Sequence, residues 1–140
     1  MKNLLQKLFF KAPPDTENQI VLPGLERNDI TVLQKYMQKR QFGLEEKIYQ
    51  RGTPSAALYY INSGSIGLFT QLDDGHEERT QYIAKGRWFG VSALLENELR
   101  PHTARSLEET ELFVLSTSEL TNLFAAKPIV GNRFLLTIIG

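Results

Sequence analysis

The chain has 140 residues, which fits a single domain, and its 16 basic and 16 acidic side chains leave it without formal net charge. That balance argues against a general binder of nucleic acid or of acidic membranes, because such proteins carry an excess of Lys and Arg. The absence of cysteine excludes disulfides, a cysteine nucleophile and a thiolate-held iron–sulfur cluster.

The first predicted element is a short N-terminal helix, because four apolar residues share one helical face: Leu4, Leu5, Leu8 and Phe9. We expect it to pack on the domain, with a membrane-surface or partner helix as the alternative. The apolar run is too short for a signal-peptide core or a membrane span. We therefore expect a cytoplasmic protein in which this segment does not span a membrane. Pro13 and Pro14 break the helix, which predicts a helix and loop over residues 1–21 and one domain over 22–140.

A second helix is predicted after Pro23-Gly24. Asn28 or Asp29 can cap it, its apolar residues Ile30, Leu33 and Met37 have helical spacing, and the pattern fades near Arg40.

Between residues 42 and 116 the sequence changes to short strand-like runs with glycines between them. Asp73-Asp74-Gly75 is a strong hairpin signal. Many short strands at even spacing favour a sandwich or a barrel-like roll over a parallel sheet. The predicted strands are Ile48–Tyr49, Ala57–Ile61, Ile66–Thr70, Arg79–Ile83 and Leu112–Leu115.

Two helices are predicted at the C-terminal end. Ser116 to Glu119 has the spacing of a capping box, and Pro128 suits the first turn of a last helix. That helix carries the apolar residues Val130, Phe134, Leu135, Ile138 and Ile139. The predicted class is therefore α+β, mainly β, with helices at both ends.

Four segments in this order resemble the cyclic-nucleotide-binding domain family, the sensor part of catabolite-activator-type regulators and of kinase regulatory subunits. They are Phe42–Tyr49, Leu58–Ile66, Gly86–Gly90 and Ala93–Thr103. The resemblance covers about residue 22 to the C-terminus. It implies a double-stranded β-helix, that is, a jelly-roll-like β-roll flanked by N- and C-terminal helices.

The last two segments resemble the family's phosphate-binding cassette, with Arg100 ten positions after Gly90. A short helix beginning near Ser92 would point N–H groups at an anion, and Arg100 would add charge-assisted hydrogen bonds. Gly90 would let the backbone approach the ligand closely. The candidate ligand-binding residues are Phe89, Gly90, Val91, Ser92, Ala93, Arg100, Pro101, His102 and Thr103. The resemblance implies cyclic AMP or cyclic GMP as the candidate ligand.

Two residues depart from the family pattern. Val91 stands where the resemblance implies a glutamate that accepts the ribose hydroxyl, and Pro101 has no N–H to give a phosphate. Two lost hydrogen bonds cost roughly 3–6 kcal/mol, or about two to four decades in affinity. Ser92 is a candidate replacement for part of this polarity.

Simpler interpretations stand beside the ligand assignments. Arg100 is either a phosphate ligand or an exposed loop arginine beside Glu96 and Glu98. Ser92 and Thr103 suit turns or caps, and His102 is either a pH-sensitive contact or a solvated side chain. Trp88 and Phe89 suit the core better than a base-stacking platform.

Three hypotheses for the function follow. The first is a regulatory module whose cassette clamps a cyclic nucleotide or another anion and relays binding to the terminal helices. The second is a ligand-free interaction module in which the helix from Pro128 to Ile139 forms a homodimer or docks a partner. The third is the sensor half of a transcription regulator, in which this chain alone does not bind DNA specifically. We predict no catalytic or metal residues, because no nucleophile–base pair, metal cluster or dinucleotide fingerprint is present.

Overall fold

The computed structural model describes residues 25–95 and 97–139, so the predicted N-terminal helix lies outside the described residues. The elements fall into two compact units, a β-roll unit of Lys39–Thr117 and a helical unit built from residues before and after it. In chain order the elements are α1 (Arg27–Gln34), β1 (Gln38–Phe42), β2 (Lys47–Tyr49), β3 (Ala57–Ser63), β4 (Ser65–Gln71), β5 (Glu77–Ala84), β6 (Trp88–Phe89), a 3₁₀ helix (Val91–Leu94), β7 (Thr103–Ser106), β8 (Thr110–Ser116), α2 (Thr117–Ala126) and α3 (Pro128–Ile139).

The β-roll unit consists of two four-stranded sheets. One has the strand order β1-β8-β3-β6 and the other β2-β7-β4-β5. The strand pairs are antiparallel, and the non-consecutive neighbours give the crossed connections of a roll. The predicted α+β, mainly β fold with a jelly-roll-like double sheet is confirmed.

A hydrophobic cluster joins the inner faces of the two sheets. The first sheet contributes Ile61, Phe89 and Leu112, and the second contributes Ile66, Leu68, Ile83 and Ala104. Burial of such side chains stabilises each by about 1.5–3 kcal/mol relative to exposure. The core therefore holds the strands that carry the candidate site.

The turn between β3 and β4 requires glycine. Gly64 has φ +91°, and a Cβ there would collide with the backbone carbonyl oxygen of Glu109 at 2.6 Å. Only glycine combines this conformation with so close an approach.

The helical unit contains one charged contact between α1 and α3. Asp29 is buried, and its two carboxylate oxygens accept hydrogen bonds from Nη1 of Arg133 at 3.1 and 2.9 Å. Asp29 also accepts the backbone N–H of Glu26 at 3.2 Å, so this one carboxylate both caps α1 and ties it to α3.

The second predicted helix ends earlier than the sequence pattern indicated. α1 stops at Gln34, its N-cap is Glu26 rather than Asn28 or Asp29, and Gln38–Phe42 forms β1. β1 is polar and mostly exposed, without the alternation that predicts a strand. Its pairing with β8 comes from tertiary structure, where Gln41 donates to the Glu111 carboxylate at 2.7 Å.

Within residues 25–95 and 97–139, no helix has the length and apolar character needed to cross a bilayer.

Candidate functional site

The predicted cassette forms a connected segment between β6 and β7. Phe89 ends β6 and is buried, Gly90 follows in a left-handed conformation, and the 3₁₀ helix Val91–Leu94 comes next. Arg100 lies just before β7 and points back to Gly90 and Ser92. The structure therefore brings together three of the predicted residues, Gly90, Ser92 and Arg100.

The Arg100 side chain is only 3% exposed, which overturns its interpretation as an exposed loop arginine. Its Nη2 donates to the carbonyl oxygen of Ala57 at 2.7 Å. Its Nη1 donates to the carbonyl oxygen of Gly90 at 3.1 Å and, over a long 3.4 Å, to the hydroxyl of Ser92. The arginine is thus held inside the β-roll by uncharged oxygens.

The hydrogen-bonding capacity of Arg100 is not filled. A guanidinium has five N–H donors; those of Arg100 reach oxygens of Gly90, Ser92 and Ala57, and the Tyr59 side chain is a further hydrogen-bond partner. Its Nε is buried without a hydrogen-bond partner, and no carboxylate of the described residues forms an ion pair with it. The positive charge of Arg100 therefore has no anionic partner among the described residues.

Gly90 is required by the position of Arg100. The glycine has φ +80°, and a Cβ there would lie 3.0 Å from Nη1 of Arg100 and 3.2 Å from the Ala57 carbonyl oxygen. The sequence predicted that Gly90 permits close approach of a ligand. In the structure, the group that approaches closely is the guanidinium of Arg100.

Aromatic rings pack against the guanidinium of Arg100. The Cζ atom of Arg100 lies 4.0 Å from the ring centroid of Tyr49 and 5.8 Å from that of Tyr59. Tyr59 also stacks on Phe89, with ring centroids 5.0 Å apart. Such cation–π contacts stabilise a desolvated arginine by about 2 kcal/mol or more. Burial raises the pKa of Tyr49 to about 12, although the charge of Arg100 acts in the opposite direction.

The hydroxyl of Ser92 contacts other side chains of the site. Its hydroxyl lies 2.8 Å from the hydroxyl of Ser55, which belongs to the loop between β2 and β3. Two backbone hydrogen bonds fix that loop. The N–H of Arg100 donates to the carbonyl oxygen of Thr53 at 2.8 Å, and the N–H of Ser55 donates to the carbonyl oxygen of Glu98 at 3.0 Å. Ser55 was not predicted from the sequence.

The 3₁₀ helix differs from the predicted short helix in its N–H groups. It begins at Val91, next to the predicted Ser92, and spans four residues. The backbone N–H of Ala93, itself buried, donates to the carbonyl oxygen of Gly90 at 3.1 Å. That N–H is used within the turn, so the helix offers fewer free donors than expected.

The other predicted residues differ in exposure and contacts. Val91 is 49% exposed and offers no acceptor, and Pro101 is exposed. His102 is half-buried. Thr103 is buried in β7, where its hydroxyl accepts the backbone N–H of Arg51 at 3.0 Å, a structural contact between strand and loop.

Sequence reasoning missed Tyr49, Tyr59, Ala57 and Ser55 as neighbours of Arg100. The strand pattern indicates that Tyr49 and Tyr59 lie in strands but not that their rings meet. Ala57 takes part through its carbonyl, which no side-chain pattern reveals. Among the described residues, no group of three His, Asp or Glu side chains is placed to hold a metal ion.

Comparison with known proteins agrees with this architecture. A family model described as "Cyclic nucleotide-binding domain" matches residues 39–127. The cyclic AMP receptor protein of Thermus thermophilus is 28% identical over 110 residues, which are 79% of this chain and 51% of that protein.

Two solved structures resemble the chain. The c-di-GMP responsive global regulator CLP of Xanthomonas campestris superposes with a TM-score of 0.71 and 25% identity, over 81% of this chain and 56% of that one. A cyclic nucleotide-binding domain from Methylobacillus flagellatus gives a TM-score of 0.77 at 22% identity, over 88% and 70% of the two chains. The chain thus spans about half the length of the Thermus and Xanthomonas regulators.

Proposed function

Since the chain belongs to the cyclic nucleotide-binding domain family, we propose that it is a regulatory sensor whose cassette clamps a phosphate-bearing ligand. Cyclic AMP and cyclic GMP are the first candidates. The observation that carries the proposal is Arg100, a buried arginine without a carboxylate partner among the described residues. The proposal assigns no catalytic role, and the relatives are named as a receptor and a regulator.

The energetics of Arg100 favour an anionic ligand. Burying an unpaired guanidinium is costly, by several kcal/mol, and hydrogen bonds to carbonyl groups offset only part of that cost. A phosphate supplies the opposite charge and accepts two parallel N–H bonds from an arginine. Because Nε is enclosed, the ligand reaches it only if the guanidinium moves away from Ala57.

That movement supplies a route to the C-terminal helices. Ala57 accepts the hydrogen bond of Arg100 at 2.7 Å and pairs in register with Ser116 at the end of β8. The next residue, Thr117, begins α2 and donates its N–H to Ala56 at 2.9 Å. A ligand that withdraws Arg100 from Ala57 therefore perturbs the backbone where α2 starts.

Calorimetric titration of the whole chain tests the proposal. We expect micromolar binding of cyclic AMP or cyclic GMP, abolished by Arg100→Ala. Arg105→Ala is the matched control, because Arg105 also stacks on a ring, with Cζ 4.5 Å from the Phe69 centroid, but lies in β7 paired with Glu77. Cyclic di-GMP is the third probe, because the Xanthomonas regulator is described as responsive to it.

Two results separate folding from binding in this experiment. Thermal melts identify any variant that fails to fold, and Arg100→Lys keeps the charge while removing the planar fork, so it should bind more weakly but measurably. No heat with any of the three nucleotides up to millimolar concentration would overturn the proposal.

A second candidate function is assembly through α3. Ile129 is 65% exposed and Leu136 is 73% exposed, and their spacing of seven places them on one helical face. We propose that this face pairs two subunits. Sedimentation of the wild type should then show a dimer that Leu136→Lys dissociates, and a strictly monomeric wild type would contradict it.

The third candidate is the sensor part of a transcription regulator, because the chain covers 56% of the Xanthomonas global regulator, which is described as linking cell–cell signalling to virulence gene expression. On that proposal this chain does not itself bind DNA specifically. A mobility shift of promoter DNA by this chain at physiological salt would contradict it.

A further inference from the structure

We infer that Ser55, on the loop between β2 and β3, is a phosphate-binding residue that acts together with Ser92 and Arg100. The inference rests on the proposed function and names a residue outside the predicted cassette. It also names the chemistry recognised: a phosphate ester bound through two serine hydroxyls and one arginine.

The three side chains form a connected polar row. The hydroxyl oxygens of Ser55 and Ser92 are 2.8 Å apart, and Ser92 lies 3.4 Å from Nη1 of Arg100. These are the contacts of the two hydroxyls within the described part of the chain. Of the two hydroxyl hydrogens, one lies between the serines and the other has no acceptor among the described residues. The row therefore offers an O–H donor beside the guanidinium of Arg100.

The row is accessible at one end and buried at the other. Ser55 and Ser92 are half-buried, whereas Arg100 is 3% exposed with an enclosed Nε. An anion entering from solvent therefore meets the hydroxyls before the guanidinium, which lies 3.4 Å from Ser92. The serines thus mark the mouth of the site.

The position of Ser55 is set without a ligand. Its backbone N–H donates to the carbonyl oxygen of Glu98 at 3.0 Å, and Pro54 forms an isolated bridge with Leu99. Because the loop is fixed by these backbone contacts to the segment before Arg100, the hydroxyl pair is preorganised for binding.

The donor set matches a tetrahedral oxyanion. A phosphate has several oxygens that accept hydrogen bonds at once, and a serine O–H can donate to it together with the guanidinium of Arg100 once that group has moved away from Ala57. Val91 and Pro101 contribute no donor, since one is aliphatic and the other lacks an N–H. The two serines therefore supply the polarity that these residues do not.

Calorimetry with cyclic AMP and competition by inorganic phosphate test this inference. We expect Ser55→Ala and Ser92→Ala each to weaken binding roughly ten-fold or more. Because their hydroxyls bond to each other, the double variant should lose less than the product of the two single effects. Thr53→Val is the matched control, since it removes a hydroxyl of the same loop that donates to Gln50 at 2.6 Å, and its affinity should be unchanged.

The possible results separate the inference from the function on which it rests. If the wild type binds and Ser55→Ala binds equally well, the inference is wrong and the proposed function stands. A lower melting temperature of Ser55→Ala without a change in affinity would make the serine pair a structural latch and would also overturn it. If the wild type binds neither the nucleotides nor phosphate, both proposals fall together.

Discussion

At the residue scale, two reasons for glycine at position 90 can be tested separately: the close approach of its neighbours and its left-handed backbone conformation. A Cβ at Gly90 would meet Arg100 and the carbonyl of Ala57, whereas at Gly75, with φ +90°, nothing lies within 4 Å. Gly75→Ala should cost about 1–2 kcal/mol of the free energy of unfolding for the left-handed conformation alone. Gly90→Ala should cost about 1–3 kcal/mol more, because the neighbours must shift.

Chemical unfolding of the two variants measures this difference. Nucleotide binding should also be lost in Gly90→Ala and kept in Gly75→Ala, since only the first displaces the guanidinium. Equal destabilisation of the two variants would mean that Arg100 does not need the space beside Gly90.

Val91 offers a gain of function at the same scale. Its side chain is 49% exposed, so Val91→Glu should change the free energy of unfolding by less than about 0.5 kcal/mol. The family resemblance implies that a glutamate here accepts the ribose hydroxyl. The affinity for cyclic AMP should therefore rise roughly ten-fold or more, and that for 2′-deoxy cyclic AMP should not. A variant that fails to distinguish the two nucleotides would place this position away from the ribose.

At the element scale, α1 and α3 are joined by an asymmetric ion pair. The Asp29 side chain is 7% exposed and that of Arg133 is 48% exposed. Asp29→Ala leaves the N–H of Glu26 without its acceptor and should cost about 1–3 kcal/mol. Arg133→Ala leaves the buried Asp29 carboxylate without its positively charged partner, so it should cost at least as much as Asp29→Ala. Urea unfolding at neutral pH checks the order, and a smaller loss for Arg133→Ala would contradict it.

The elements also show where sequence reasoning succeeds. The hairpin at Asp73-Asp74-Gly75 was predicted because its turn residues act locally, and it joins β4 to β5. β1 was missed because its polar residues carry no strand pattern and its pairing is with β8, distant in the chain.

The candidate site shows the same difference between local patterns, which the sequence reveals, and contacts between distant segments, which it does not. Arg100 was found because its spacing after Gly90 resembles that of the family's phosphate-binding cassette, a pattern carried by one continuous segment. Ser55 was missed because it lies in a different loop from Ser92. The bridge between Pro54 and Leu99 brings the two loops together, and the two hydroxyls then bond to each other. A contact made by two separate loops leaves no periodicity in either of them.

At the scale of the whole molecule, the proposed relay predicts a local change in amide exchange. Saturation with cyclic AMP should withdraw Arg100 from the Ala57 carbonyl and weaken the nearby bond from the Thr117 N–H to Ala56, 2.9 Å in the free protein. Exchange at Thr117 should then become roughly ten-fold faster, because one hydrogen bond to a charged group is lost beside it.

The hairpin amide of Leu72, which donates to His76 at 2.7 Å, is the internal control and should not exchange faster. In Arg100→Ala the ligand should leave both amides unchanged. Slower exchange at Thr117 as well as at Leu72 would mean that the ligand stabilises the fold as a whole. The proposed route from Arg100 to α2 would then be wrong even if cyclic AMP binds. A ligand can shift α2 only if the bound and unbound states differ in the contacts at the start of that helix.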